Sequence, residues 1–186
     1  MIEIVSRSQF KKLLESPSIK QLYVISINES KSSALMFDNQ YDYSYPIWKN
    51  STTFKKKVVD PLILNFDDVE NDNDYPGAKK ITKLDCEKIL HHVNKYSKVI
   101  TSPSKMFYVQ CRGGVSRSAA VAAAICTIIP SLDDWWIFND VQYSPNRVVY
   151  ESILKCAGYD LTSLAVKHVI DEKFERNLEL SKMLLQ

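Results

Sequence analysis

Short apolar runs alternate along the chain with stretches whose apolar positions recur every three or four residues, the pattern of strands alternating with amphipathic helices. Met1 to Ser6 predicts a short strand, and Ser8 to Glu15 a helix with Phe10, Leu13 and Leu14 on one side. Gln21 to Ile27 predicts a second strand. Leu62, Ile63, Leu64 and Phe66 form a compact buried-strand run after Pro61, ending at Asp67 and Asp68, and a loop rich in Asp and Asn follows through Gly77. Thr82 with Asp85 fits a capping box, after which Leu84, Ile89, Leu90 and Val93 mark one face of a helix. Lys105 to Gln110 makes the next strand. Ala119 to Ile129 is an alanine-rich helix broken by Pro130, and its all-round apolarity predicts burial at the centre. Ser131 is placed to cap a short helix through Trp135, Trp136 and Phe138; Asn146 to Ala157 reads as a helix closed by Gly158, and Ser163 to Leu185 as a longer one with a solvated charged face. Residues 29 to 56, with Tyr41, Tyr43, Tyr45 and Trp48, fit neither period and stay open. The alternation predicts an α/β fold, a central mostly parallel sheet flanked by helices, in which ligands bind at the carboxyl ends of strands.

Composition narrows this frame. At 186 residues with 45% hydrophobic content, one domain spanning 1–186 with a substantial core is expected. A net charge of +2 gives no global field for nucleic acid, so any positive potential must be local. Cys86, Cys111, Cys126 and Cys156 lie far apart without a CxxC pair or an apolar leader, which favours free thiols and a cytoplasmic location. No run approaches the roughly 18 apolar residues of a membrane span. Glycine is scarce, yet two of the four glycines are Gly113 and Gly114, which points to unusual backbone angles or close ligand approach.

Those glycines sit inside the most informative stretch, CRGGVSRS from Cys111 to Ser118, directly after the apolar Phe107, Tyr108 and Val109. A thiol and a guanidinium six positions apart, between a strand end and a helix start, suit a backbone cup whose N–H groups turn inward on one anion. Arg112, Gly113, Gly114, Val115 and Ser116 would line it, with Cys111 at the floor and Arg117 at the rim. A thiol at a helix N-terminus beside a fixed cation has its pKa lowered from about 8.5 to roughly 3.5–7.5, which makes it a nucleophile at neutral pH.

This stretch resembles the signature of the cysteine-dependent protein tyrosine phosphatases: Cys, five residues, Arg, then Ser or Thr, on a strand-loop-helix. Cys111, Arg117 and Ser118 match it, and Gly114 matches the glycine usual in compact, dual-specificity-like members. The family usually carries His before the Cys, where this chain has Gln110, a residue that can still donate a hydrogen bond. The resemblance implies a tyrosine-phosphatase-like fold, Cys111 as nucleophile, Arg117 as phosphate clamp, Ser118 as the group that assists the leaving sulfur, and no metal or cofactor. It also implies an upstream Asp as general acid. Asp68 is the choice, Asp67 the close rival, and Asp72 and Asp74 lie further along the same loop. Asn146, in SPNR, resembles an Asn that braces the signature loop, and helix capping is an equal reading.

The implied substrate is a phosphorylated protein, phosphotyrosine first and phosphoserine or phosphothreonine besides. Relatives of the fold act instead on RNA 5′ ends, phosphoinositides or nucleotides, and Lys79, Lys80 and Lys83 are weak evidence for such a polyanion. A catalytically inactive phosphate-binding module is the alternative from a different class, kept alive by Gln110. A sulfurtransferase loop is one residue shorter and is set aside. His91 and His92 lack a third ligand at useful spacing, so packing outranks metal binding. Trp135 and Trp136 read as packing, and Cys86, Cys126 and Cys156 as inert buried thiols.

Overall fold

The computed structural model describes residues 1–30, 52–71 and 77–183. Among them are strands β1 (Ile2–Ser6), β2 (Tyr23–Asn28), β3 (Leu62–Asn65) and β4 (Phe107–Cys111). The helices are α1 (Arg7–Glu15), α2 (Thr52–Lys57), α3 (Lys83–Lys95), α4 (Ser97–Ile100), α5 (Arg117–Ile128), α6 (Trp135–Phe138), α7 (Arg147–Cys156) and α8 (Leu164–Met183). The strands form one parallel sheet in the order β1-β4-β2-β3, flanked by helices as the alternation predicts. Because side chains alternate along a strand, β4 turns Phe107, Val109 and Cys111 to one face and Tyr108 to the other. The first face is covered by α3, α5 and α7, and the second by Phe10 and Leu14 of α1 and Phe54 of α2.

Pairing of Ser6 with Cys111 and of Ser26 with Gln110 brings the ends of β1 and β2 to either side of the β4 terminus. Every residue of α5 from Arg117 to Cys126 is buried. Its alanines let the helix lie close on the sheet, and that close seat fixes where the preceding loop must run.

Several boundaries differ from expectation. α2 overlaps the end of the segment whose period was open and runs one residue past it, α4 was not foreseen, and the tyrosines at 41, 43 and 45 fall outside the described residues. Ser131 does not cap α6. That helix begins after Asp134, and Asp133, nearer to it, takes the Trp135 amide at 3.1 Å. The Thr82–Asp85 capping box is present, and Gly158 closes α7 with a φ of 92°. Of the three thiols expected to be buried, Cys86 and Cys126 are, while Cys156 is only half-buried. None of the described helices is long and apolar enough to cross a membrane.

His92 is the buried member of the histidine pair, packed against Tyr96 and Phe107 at ring-centroid distances of 4.8 and 5.9 Å. Its Nε2 has no hydrogen-bond partner among the described residues, and burial pushes its pKa down from 6.5 to about 4. A base held neutral in the fold contributes stability that is complete above its unfolded pKa of 6.5 and is lost as pH falls from there toward 4. Taking the protein from pH 7 to pH 5 should therefore cost about 2 kcal/mol through this residue. Urea unfolding of wild type and His92→Phe at both pH values checks this: the drop should shrink by that amount in the variant.

Candidate active site

β4 ends at Cys111, the chain turns through Arg112 to Ser116, and α5 begins at Arg117. The turn depends on Gly114. Its φ is +72°, and a Cβ there would stand 2.6 Å from the Ser6 nitrogen and 2.8 Å from the Val5 carbonyl carbon. Ser6 cannot yield, because it is the N-cap of α1 in a reciprocal capping box with Gln9. The loop is thus pressed against the β1–α1 junction, where the Arg7 N–H also donates to the Arg112 carbonyl at 3.2 Å. Gly113 is exposed and its Cβ would meet only Val115, so of the pair Gly114 alone is required by the backbone.

The Cys111 sulfur is buried inside this turn. The Gly114 N–H donates to it at 3.3 Å, and Ser118 Oγ lies 3.1 Å away. Gln110, buried on the opposite face, accepts from Ser26 Oγ at 2.7 Å and donates to the Cys111 carbonyl at 2.8 Å. It therefore ties the end of β4 to β2 and holds the Cys111 carbonyl, without carrying a charge.

Arg117 is nearly fully buried. Nη1 donates to the Phe66 carbonyl at 2.8 Å and Nη2 to Glu29 Oε1 at 2.8 Å, whereas Nε has no partner among the described residues. Burial disfavours the guanidinium's charge, but Cys111 and Glu29 outweigh it and raise the pKa above its ordinary value. Burial likewise pushes the Glu29 carboxyl up, yet Arg117 and Arg7 reverse this and hold it below 4.5, so Glu29 is ionised at neutral pH.

The two candidate acids occupy different surroundings. Asp67 is buried and structural: Oδ1 accepts from the Ser30 N–H at 2.8 Å, Oδ2 from the Lys79 N–H at 2.7 Å, and its own N–H donates to the Lys79 carbonyl at 2.7 Å. Asp68, the next residue, is exposed. Its Oδ1 accepts from Ser116 Oγ at 2.7 Å and from Asn146 Nδ2 at 2.9 Å, which ties it to the cup. Ser116 is the N-cap of α5 but makes no capping bond, because its hydroxyl is spent on Asp68. Asn146 Oδ1 caps α7 through the Val149 N–H at 2.9 Å, and its backbone N–H donates to the Ser116 carbonyl at 3.4 Å. The Val115 carbonyl accepts from Ser144, and the Arg112 and Val115 side chains are exposed at the cup's outer edge. Asp72 and Asp74 lie outside the described residues.

Cys111, Gly114, Ser116, Arg117, Ser118, Asp68, Asn146 and Gln110 are thus brought together, and Asp67 is not. Trp136 packs edge-on against Tyr143, and Lys173 lies over Trp135, in keeping with a packing role for both indoles. Among the described residues no three His, Cys, Asp or Glu side chains converge as a metal site. Sequence reasoning missed Glu29 and Arg7. Each is a charged residue immediately past the carboxyl end of a strand, the place where α/β sheets bind ligands, and that was the available signal. Compared with protein-family models, curated proteins and solved structures, the chain matches none.

Proposed function

We propose that this protein is a cysteine-dependent phosphatase that hydrolyses phosphate monoesters, phosphotyrosine in proteins foremost, through a cysteinyl-phosphate intermediate. The observation that carries the reading is the convergence on one seven-residue turn of a buried thiol, a guanidinium with an idle Nε, and an exposed carboxyl. The likeness to the tyrosine-phosphatase signature supports the same reading.

In the first step the Cys111 thiolate attacks phosphorus, the bond from phosphorus to the ester oxygen breaks, and Asp68, in its protonated form, gives that oxygen its proton. Arg117 and the turn's N–H groups hold the equatorial oxygens, and they bind best where negative charge is greatest, in the transition state. In the second step Asp68 takes a proton from water as water attacks phosphorus. The sulfur–phosphorus bond breaks, Ser118 hydrogen-bonds the departing sulfur, and inorganic phosphate leaves. Gln110 supports the Cys111 backbone throughout but adds no positive charge, so activation of the sulfur falls to Arg117, the Gly114 N–H and Ser118.

The test is hydrolysis of para-nitrophenyl phosphate and of phosphotyrosine peptides by the wild-type protein in the presence of chelator, with competitive inhibition by orthovanadate. Turnover that vanadate blocks is the expected result. A protein that binds phosphopeptide yet never releases phosphate would instead be a phosphate-reading module.

A further inference from the structure

Arg7 opens α1 directly after β1 and is joined to the cup's wall through its N–H bond to the Arg112 carbonyl. Its Nη2 donates to Glu29 Oε2 at 2.9 Å and approaches Asn28 Oδ1 at 3.4 Å. Since Arg117 Nη2 holds Glu29 Oε1, one carboxylate is divided between two guanidiniums, one oxygen each. All three side chains are largely withdrawn from solvent, at 20% exposure for Arg7, 10% for Glu29 and 6% for Arg117. Screening by water is correspondingly weak.

A carboxylate alone beside an arginine favours the bidentate arrangement, both oxygens on one edge of the guanidinium. Nη1 of Arg117 is committed to the Phe66 carbonyl and one of the two N–H groups of Nη2 to Glu29 Oε1, so a phosphate can take the edge between Nε and Nη2 through Nε and the other Nη2 hydrogen. That edge is also the fork a bidentate Glu29 would occupy. Arg7 removes that competition by holding Oε2, and Arg117 Nε is in fact without a partner among the described residues. Charge points the same way. An isolated Glu29–Arg117 pair would be neutral, whereas two guanidiniums against one carboxylate leave a positive site.

We propose that Arg7 is a positioning residue for the phosphate cup: by taking Glu29 Oε2 it keeps the Nε edge of Arg117 open and the site positive, so that a phosphate dianion can bind. This inference rests on the phosphatase reading above, and it assigns Arg7 to binding, not to proton transfer.

The experiment is calorimetric titration of inorganic phosphate and orthovanadate into wild type, Arg7→Met, Glu29→Gln and the double variant, with thermal melts and para-nitrophenyl phosphate kinetics on each. Arg7→Met should raise the phosphate Kd and the KM roughly 10- to 100-fold, the scale of a lost charge-assisted contact, while kcat and the dependence on leaving group stay near wild type. In the double variant, where the competing carboxylate has no charge, most of that loss should disappear. Phosphate binding by Arg7→Met equal to wild type overturns the proposal. So does a loss that persists in full in the double variant, since Arg7 would then only brace the loop. Arg7→Leu likewise removes both the donor toward Glu29 and the charge, and carries the same two outcomes if Arg7→Met does not fold. Wild type that binds neither anion and turns nothing over rejects the cup itself, a result read without any variant.

Discussion

Cys111→Ser should abolish turnover, with kcat falling by about four orders of magnitude or more, the scale of deleting a nucleophile that works as one unit with its neighbours. The pocket is built around sulfur. The Gly114 N–H at 3.3 Å and Ser118 Oγ at 3.1 Å are spaced for a large polarizable atom, and the Arg117 guanidinium is coupled electrostatically to it. A serine oxygen there is smaller, stays protonated at neutral pH and faces no base among the groups that contact residue 111. Phosphate recognition should survive, because Arg117 keeps its bonds to the Phe66 carbonyl and Glu29 without residue 111, and a serine oxygen can still accept from the Gly114 N–H. Stopped turnover with retained phosphopeptide binding is therefore the expected pair of results. A serine variant as active as wild type would remove Cys111 from the nucleophile's role.

Period and spacing carried most of the architecture, since they are local properties of the chain. The α5 helix was legible because Ala119 to Cys126 offers no charged or amide side chain on any face, and Cys111 at the end of β4 was legible because a parallel sheet exposes that end to ligands. The acid was harder. Asp67 and Asp68 are neighbours of identical chemistry, and only the fold separates them: Asp67 is buried against the Ser30 and Lys79 amides, whereas Asp68 is exposed and bonded to Ser116 and Asn146. For Glu29 and Arg7 the sequence offers only their place just past a strand end, not their pairing. Their bonds join residues 22 and 88 positions apart, and those partners meet only because the strand order sets β1 and β2 on either side of β4.

The Glu29 carboxylate also explains how so buried a guanidinium is tolerated. An unpaired charge at that depth would be costly, and a partner on one Nη with a carbonyl on the other offsets this while fixing the plane of the group. The same pairing gives the site a pH limit. Glu29 is ionised above its unfolded pKa, and the ion pair's contribution is lost as pH falls through the depressed folded value. Below that range Arg117 loses its charged partner.

Asp68→Ala should lower the rate on poor leaving groups, such as phenyl or alkyl phosphates, by about 10²- to 10⁴-fold, while good leaving groups that depart without a proton change far less. Both hydrogen bonds to Asp68 fall on Oδ1, from Ser116 and Asn146, and no described residue claims Oδ2. That leaves one oxygen anchored and the other to carry the proton. Because Ser116 belongs to the turn between β4 and α5, its bond already joins Asp68 to that turn, so the proposed proton transfer needs no movement of the Asp68 loop. Asp67→Asn should instead weaken the fold, since its two oxygens accept the Ser30 and Lys79 amides that hold the acid loop in place. Measured rates for a series of aryl phosphates of graded leaving-group pKa separate the roles: a steepened dependence in Asp68→Ala and an unchanged slope in Asp67→Asn is the expected pattern. Equal losses across the series in Asp68→Ala would take Asp68 out of proton transfer and leave it only a brace between Ser116 and Asn146.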